Sequence, residues 1–582
     1  MQPPNLLSSK VYLLTCVEGG CKASLMDFAR LGDVRNIMSP RTVSCRRQPS
    51  EEDSHMKVTF TSRTAIRPTI TLAIALTGLL VVPQARADLK SLKRAPVPLP
   101  ANLGDFVASR GAAVQLGKAL FWDMQTGGDG VQACASCHSQ AGADIRTRNI
   151  LNPGANGVFD TAVPDAMLTP TSFPITTGDV AGSQGVIKRS FLGLLGAGDN
   201  CATVPDPVFN FHGMNVRQVT GRNTPSAVNS IFNFRSFWDG RANNVFNGVN
   251  PAGPTDPTAT VLKVGADGVP VAVGVQLPNA SLASQAVGPP DNGVEMSCAG
   301  RRFPELGRKL LNLMPLGEQL VHPGDGVLGA LSRAPNSGLN TTYGALIQAA
   351  FKPVWWNSNA VVDGFSVMES NFSLYWGVSV MLYESTLVSD DTRVDRFLDG
   401  SRSALTAQEQ LGMNVFTGKG RCDQCHGKAE LTMATVSEAS GDPLKGFFNT
   451  GVRPIADDAG DILQGNGFFK TPGLRNVELN GPYFHNGDKA TLRQVVDFYD
   501  RGGDFRTRLT NGQVRPLGMT QGEKNALVAF MVALTDDRVR FEKAPFDHPS
   551  LDVPNGPNLL AVGAGGRPTP LGTFLGMNPF QP

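Results

Sequence analysis

The sequence predicts a mostly α-helical chain of two lobes, with long loops and insertions. Three observations lead there. The pattern Cys-x-x-Cys-His occurs at Cys134–His138 and again at Cys422–His426. Helical apolar spacing recurs around these copies: in Gln115–Asp123 ahead of the first, in Phe372–Thr386 between them, and at Leu492, Val495, Val496 and Tyr499, which share one helix face. Gly (64) and Pro (41) are abundant, which fits a loop-rich protein.

At 582 residues the chain is long enough for more than one domain. The formal net charge is +2 and no basic tract is present, which argues against nucleic acid as a partner. Residues 1–55 show neither periodicity nor motif and read as a non-native N-terminal extension. Met56-Lys57, Arg63 and Arg67, the apolar run Ile70–Val82 and Ala85-Arg86-Ala87 follow in the order of a signal peptide spanning 56–87, cut before Asp88. The rival, an uncleaved anchor, suffers because the apolar run is short for a membrane span. Export implies a periplasmic protein in an oxidising compartment, where Cys201 and Cys298 suit a disulfide; two buried free thiols are the alternative. Residues 88–110 are expected to run as an irregular arm, and 243–283, rich in Gly, Pro, Val and Asn, as a surface insertion. No function attaches to the helical stretch 300–390.

The repeated motif is that of c-type haem attachment. Two thiols can form thioethers to the haem, and the adjacent His can ligate the iron from the proximal side. A four-cysteine zinc ribbon is disfavoured because the pairs lie hundreds of residues apart. Two covalently bound haems are therefore expected, on Cys134, Cys137 and His138 and on Cys422, Cys425 and His426.

Around these motifs the sequence resembles the bacterial di-haem cytochrome c peroxidases and their MauG-like relatives. The run LGKALFWD before CASCH, GRNTPSAVN (221–229), FWDGRA (237–242), SQAVGPPDNGVEM (284–296), GKGRCDQCH (418–426) and FFKTPGLRNVELNGPYFHNG (468–487) follow the family order across most of the chain. The resemblance implies two cytochrome c-like haem domains, N-terminal and peroxidatic at 88–395 and C-terminal and electron-transferring at 396–582.

It also implies roles. Glu295 matches the family acid/base that moves a proton between peroxide oxygens, and Gln285 a residue on the same distal side. Trp238 matches the tryptophan between the haems. The residue that caps the first iron in conventional peroxidases is replaced by Gly154, so the sixth position is expected to be open; His212 is a more remote substitute. The second iron takes Met in conventional members, and Tyr499 stands at that place, as in MauG-like proteins; Met519 is the runner-up. Asn223, with the main-chain carbonyls of Asn480 and Pro482, matches an inter-domain calcium site. Arg475 and Lys470 are candidates for haem propionates.

The implied activity is reduction of hydrogen peroxide with electrons passed through the second haem. The implied donor is a small cytochrome c or cupredoxin, or an oxidisable protein substrate, and a homodimer is a possible assembly. A non-catalytic di-haem electron carrier and a di-haem oxygenase are the alternatives.

Overall fold

The structure, a computed structural model, describes residues 12–17, 20–25, 89–439 and 441–582. It divides into two compact units, Met1–Val81 and Val82–Pro582. In the first, strands Tyr12–Val17 and Gly20–Leu25 pair antiparallel, an element that the aperiodic sequence of residues 1–55 did not announce. The expected signal peptide and its cleavage point lie outside the described residues.

The second unit is built on two helix pairs that repeat one packing device. Helix Arg110–Trp122 begins at Ser109, whose hydroxyl accepts the Ala112 N–H, and leads into the first Cys-x-x-Cys-His motif. It packs along helix Phe372–Glu384, and the two backbones touch at Gly117: a Cβ there would lie 1.9 Å from the Ser379 carbonyl oxygen. Helix Ala407–Thr417 begins with a reciprocal Thr406–Glu409 capping box and leads into the second motif. It packs along helix Gln521–Val532, and a Cβ on Gly412 would lie 1.9 Å from the Ala526 carbonyl oxygen. One turn beyond each glycine, Phe121 and Phe416 are both buried. Each lobe thus presents its motif from the end of a helix that a Gly contact fixes against a partner.

Helix Phe372–Glu384 is buried on every side and forms the centre of the first lobe. Its Trp376 indole donates to the Ala286 carbonyl (2.9 Å), and its Tyr375 hydroxyl to the Trp355 carbonyl (2.5 Å), so both aromatics bury their bulk and keep a polar partner. The stretch 300–390, without a role in the sequence, is therefore the core of that lobe. The reading of 243–283 as a surface insertion needs correction. Its Val261–Val264 and Pro270–Val273 hairpin is partly exposed, but Phe246, Leu277 and Ala280 are fully buried in the main core, because Phe246 and Leu277 exchange backbone hydrogen bonds and turn inward together.

Residues 89–109 form the expected irregular arm, with single turns at Leu92–Arg94 and Leu103–Asp105. It is tied down by the Leu92 N–H on Asp395 (2.9 Å) and the Ser91 hydroxyl on Asp399 (2.8 Å). Helix accounts for 29% and strand for 14% of the chain, so helix leads. Every ladder among the described residues has two strands, and these short hairpins were not foreseen. Cys201 and Cys298 form a disulfide, joining the Gly198–Thr203 strand to the segment after Glu295. Among the described residues no helix is long and apolar enough to cross a membrane.

Candidate redox site

Two cavities and the gap between them gather nearly all of the residues singled out above. Cys134, Cys137 and His138 line the first cavity, together with Phe121, Gln285, Glu295, Glu384 and Lys470. The His138 Nδ1 lies 2.8 Å from the Gly142 carbonyl, which fixes the ring and leaves Nε2 as the nitrogen free to ligate. Burial lowers the pKa of His138, so the ring is neutral, as a metal ligand must be.

Glu295 is held by its backbone. The Val294 and Glu295 N–H groups donate to Asn292 Oδ1 (2.8 and 3.1 Å), and the Cys298 disulfide anchors the chain three residues later. Burial raises the Glu295 carboxyl pKa and the charge of Arg241 lowers it, the first effect being the larger. Gln285 comes from the short helix Ser281–Ala286, which the Trp376 indole holds at Ala286. Glu384 is a further carboxyl of this cavity that sequence reasoning passed over. Its Oε2 accepts from the Ser230 hydroxyl (3.0 Å), and burial pushes its pKa up to about 8.

The second cavity is lined by Cys422, Cys425, His426, Tyr499 and Met519. The His426 Nδ1 faces the Leu431 carbonyl at 3.2 Å, the same orientation as in the first lobe. Tyr499 sits on helix Leu492–Arg501, whose Leu492 and Val496 are buried while Val495 and Tyr499 face the cavity. Burial first, and the two cysteines second, lift the phenol pKa well above its ordinary value. Both Tyr499 and Met519 reach the wall, so cavity lining alone leaves both as possible ligands.

Trp238 lies between. It lines the second cavity and also the gap that reaches His138 and Glu295. Two hydrogen bonds hold it: its carbonyl accepts the Lys470 N–H (2.8 Å) and its indole Nε1–H donates to the Asn223 carbonyl (2.8 Å); the Asn223 N–H in turn donates to the His485 carbonyl (2.8 Å). Lys470 lines both cavities, and burial without a carboxylate partner pulls its pKa down to about 8. His485 stacks on Phe469 (ring centroids 3.6 Å apart), its Nε2 has no protein partner, and burial pulls its pKa down to about 3. The sequence used His485 only as a counting mark; its block PYFHNG was the available signal.

Arg475 lines the second cavity; its terminal nitrogens pair with Asp395 at 2.5 and 2.9 Å, and its Nε has no hydrogen-bond partner among the described residues. His212 sits in the tight turn of the Asn210–Phe211 and Met214–Asn215 hairpin, lines neither cavity and is no ligand. Gly154 lies beside the gap with a positive φ of 65°, and a Cβ there would meet the Gly178 carbonyl at 2.2 Å, so no side chain can reach the first cavity from this point. The Asn223 amide lies 2.5 Å from the Pro482 carbonyl, while the Asn480 side chain donates to the Ala141 carbonyl (3.0 Å).

The donor sets fit two c-type haems. In each lobe a pair of free thiols and an imidazole with its second nitrogen already bonded open on one cavity. The unpartnered Lys470 ammonium and His485 Nε2 suit groups carrying acceptor oxygens, as propionates do.

Comparison with known proteins agrees with this geometry. Residues 111–403 match the family model described as di-haem cytochrome c peroxidase, a match that includes the first motif and Glu295. The chain is 36% identical over 181 residues to cytochrome-c peroxidase IdrP2 of Denitromonas iodatirespirans, covering 27% of this chain and 47% of that protein. It is 33% identical over 152 residues to the methylamine utilization protein MauG of Methylorubrum extorquens, covering 26% and 41%. It is 26% identical over 332 residues to cytochrome c551 peroxidase of Nitrosomonas europaea, covering 56% and 69%. The matched segments thus span about half the length of most of these relatives. With the family model covering half of the sequence and both lobes offering a haem donor set, the chain belongs to the di-haem cytochrome c peroxidase family.

Proposed function

We propose that this protein reduces hydrogen peroxide at a haem bound by Cys134, Cys137 and His138, with electrons passed through a second haem bound by Cys422, Cys425 and His426. The observation that supports it most is the convergence of Glu295 and Gln285 on the cavity that carries the first motif. When bound, the first haem iron supplies an open coordination position and electrons for cleavage of the O–O bond.

The chain's own residues move the protons. Glu295 would take a proton from one peroxide oxygen and return it to the oxygen that leaves as water; two electrons and two further protons complete the reduction of peroxide to two waters. Its carboxyl must be ionised to accept, and its raised pKa makes it a proper donor afterwards. Gln285, a neutral amide, orients the peroxide without adding charge. Trp238, fixed between the cavities, would relay electrons, and Tyr499 would hold the second haem iron with His426. An anionic oxygen donor there would stabilise oxidised iron, the MauG-like ligand pattern.

The same reading assigns 88–395 to the peroxidatic domain and 396–582 to the electron-transfer domain, after an exported leader, in the periplasm. It takes a small cytochrome c, a cupredoxin or an oxidisable protein side chain as the electron source. Calcium at Asn223, Asn480 and Pro482 requires a half-turn of the Asn223 amide to bring its oxygen toward the Pro482 carbonyl.

Peroxide titration of the oxidised holoprotein, followed in the Soret and near-infrared bands, tests the activity. A spectrum indifferent to peroxide leaves only an electron carrier. Tyr499→Phe tests the ligand: the low-spin signature of the second haem is expected to change, and the same signature in the variant removes the assignment.

A further inference from the structure

Behind the wall of the first cavity a file of rings leads from His138 into the core. The Phe121 ring lies 6.2 Å from His138, 5.4 Å from Tyr383 and 6.0 Å from Trp122, centroid to centroid. The Trp122 indole Nε1–H donates to the Tyr383 hydroxyl (2.9 Å), and its face stacks on His548 at 4.6 Å with the planes 9° apart. All of these rings except His138 are almost fully buried. One helical turn before Trp122, the buried Lys118 ammonium lies 2.8 Å from Asp325 and 3.3 Å from Asp547, both equally buried. One ammonium against two carboxylates leaves this cluster negative. The Glu542 carboxylate, 3.4 Å from the far nitrogen of His548, is balanced by Arg567 at 3.5 Å, so the excess negative charge rests on Asp325 and Asp547.

We propose that Trp122 is an internal one-electron donor to the first haem, a redox site in the protein distinct from Trp238. This rests on the peroxidase reading given above. Peroxide withdraws two electrons at the first haem and leaves as water. Trp122 then returns one of them through Phe121 and His138, and its indole becomes a radical cation. No bond to Trp122 forms or breaks, and its Nε1 proton stays on the hydrogen bond to Tyr383. An electron from the external donor later restores the indole.

Trp122, rather than Tyr383, is the donor for a reason of protons. A tyrosine that loses an electron must also lose its hydroxyl proton. The Tyr383 hydroxyl accepts from Trp122 and donates to no described residue, and burial holds its pKa far above the ordinary value. An indole can keep its proton and carry the positive charge, and two carboxylates sharing one ammonium in a water-poor interior favour that charge. The sequence hinted at none of this, since Asp325, Asp547 and His548 meet Trp122 only in the fold.

The test is freeze-quench electron paramagnetic resonance of the holoprotein after one equivalent of peroxide without donor, with peroxide consumption read in parallel. An organic radical whose spectrum narrows on ring-deuterated tryptophan, persists in Trp238→Phe and is lost in Trp122→Phe is the expected result. Peroxide consumption with no such radical, or a radical that survives Trp122→Phe, overturns the proposal and leaves the peroxidase reading standing. No peroxide consumption overturns both. Should Trp122→Phe fail to fold, peptide mass spectrometry of the unaltered protein after excess peroxide decides: oxygen added to Trp122 ahead of the other four tryptophans is expected, and an unmodified Trp122 beside oxidised Trp238 overturns the proposal.

Discussion

At the scale of single residues the first cavity places two ionisable groups whose protonation sets the chemistry. Glu295 must be ionised to accept a proton, and burial raises its pKa, so the peroxide reaction is expected to slow as pH falls through a midpoint above the ordinary carboxylate range. Glu295→Gln should reduce the bimolecular rate with peroxide by about 10²- to 10⁴-fold and flatten that profile. Stopped-flow spectroscopy at the Soret band measures both, and a wild-type rate in the variant would remove the acid/base role. Lys470 makes a second prediction. Its ammonium lines both cavities, and a positive charge beside a haem favours the reduced iron. Lys470→Met should therefore lower the midpoint potentials of both haems in a spectroelectrochemical titration, whereas a shift confined to one haem would contradict its shared position.

Some of these residues were legible in the sequence and some were not. Cys-x-x-Cys-His carries its chemistry within five residues, so both haem sites could be read without a fold. Glu295, Gln285 and Trp238 could be read only through the blocks around them, because a lone carboxylate or indole has no signature. Glu384 escaped an assigned function, and the shared position of Lys470 between the cavities was hidden, because burial and the choice of partners arise only in the fold. The Asp395 partner of Arg475 was hidden for the same reason, being eighty residues away in the chain.

At the scale of elements the repeated Gly contact sets how the motifs are held. Gln115-Leu116-Gly117 and Gln410-Leu411-Gly412 each end four residues before a buried Phe on the helix ahead of a motif, a likeness too short to stand out against 582 residues. Helix boundaries were nearer to hand: the pattern at Gln115–Asp123 ends one residue beyond the observed Arg110–Trp122, and Phe372–Thr386 ends two residues beyond the observed helix. The strand pairs were not foreseen, since most of these strands run only two to four residues, too short for a measurable period. Gly412→Ala adds a methyl group where the Ala526 carbonyl already stands, and should cost about 1–3 kcal/mol of stability, a typical overpacking penalty. Thermal denaturation of the holoprotein measures it, and an unchanged midpoint would mean that the two helices separate at little cost.

At the scale of the whole molecule the Cys201–Cys298 bridge closes a loop of 97 residues and anchors the segment that presents Glu295. Cys201→Ser paired with Cys298→Ser should lower stability by about 2–5 kcal/mol and slow the peroxide reaction, since the carboxyl loses one of its two anchors. Denaturant unfolding and peroxide kinetics report the two effects separately. A loss of stability with unaltered kinetics would show that the Asn292 turn alone suffices to hold Glu295.

The hydrogen bonds around Trp238 bear on how charge crosses the molecule. Its carbonyl and its indole nitrogen are engaged with different segments, so the ring cannot turn without giving up its hydrogen bond to the Asn223 carbonyl. The tunnelling distance is then a constant of the fold rather than a fluctuating quantity. Transfer between the lobes should track driving force alone, with no lag awaiting a conformational event.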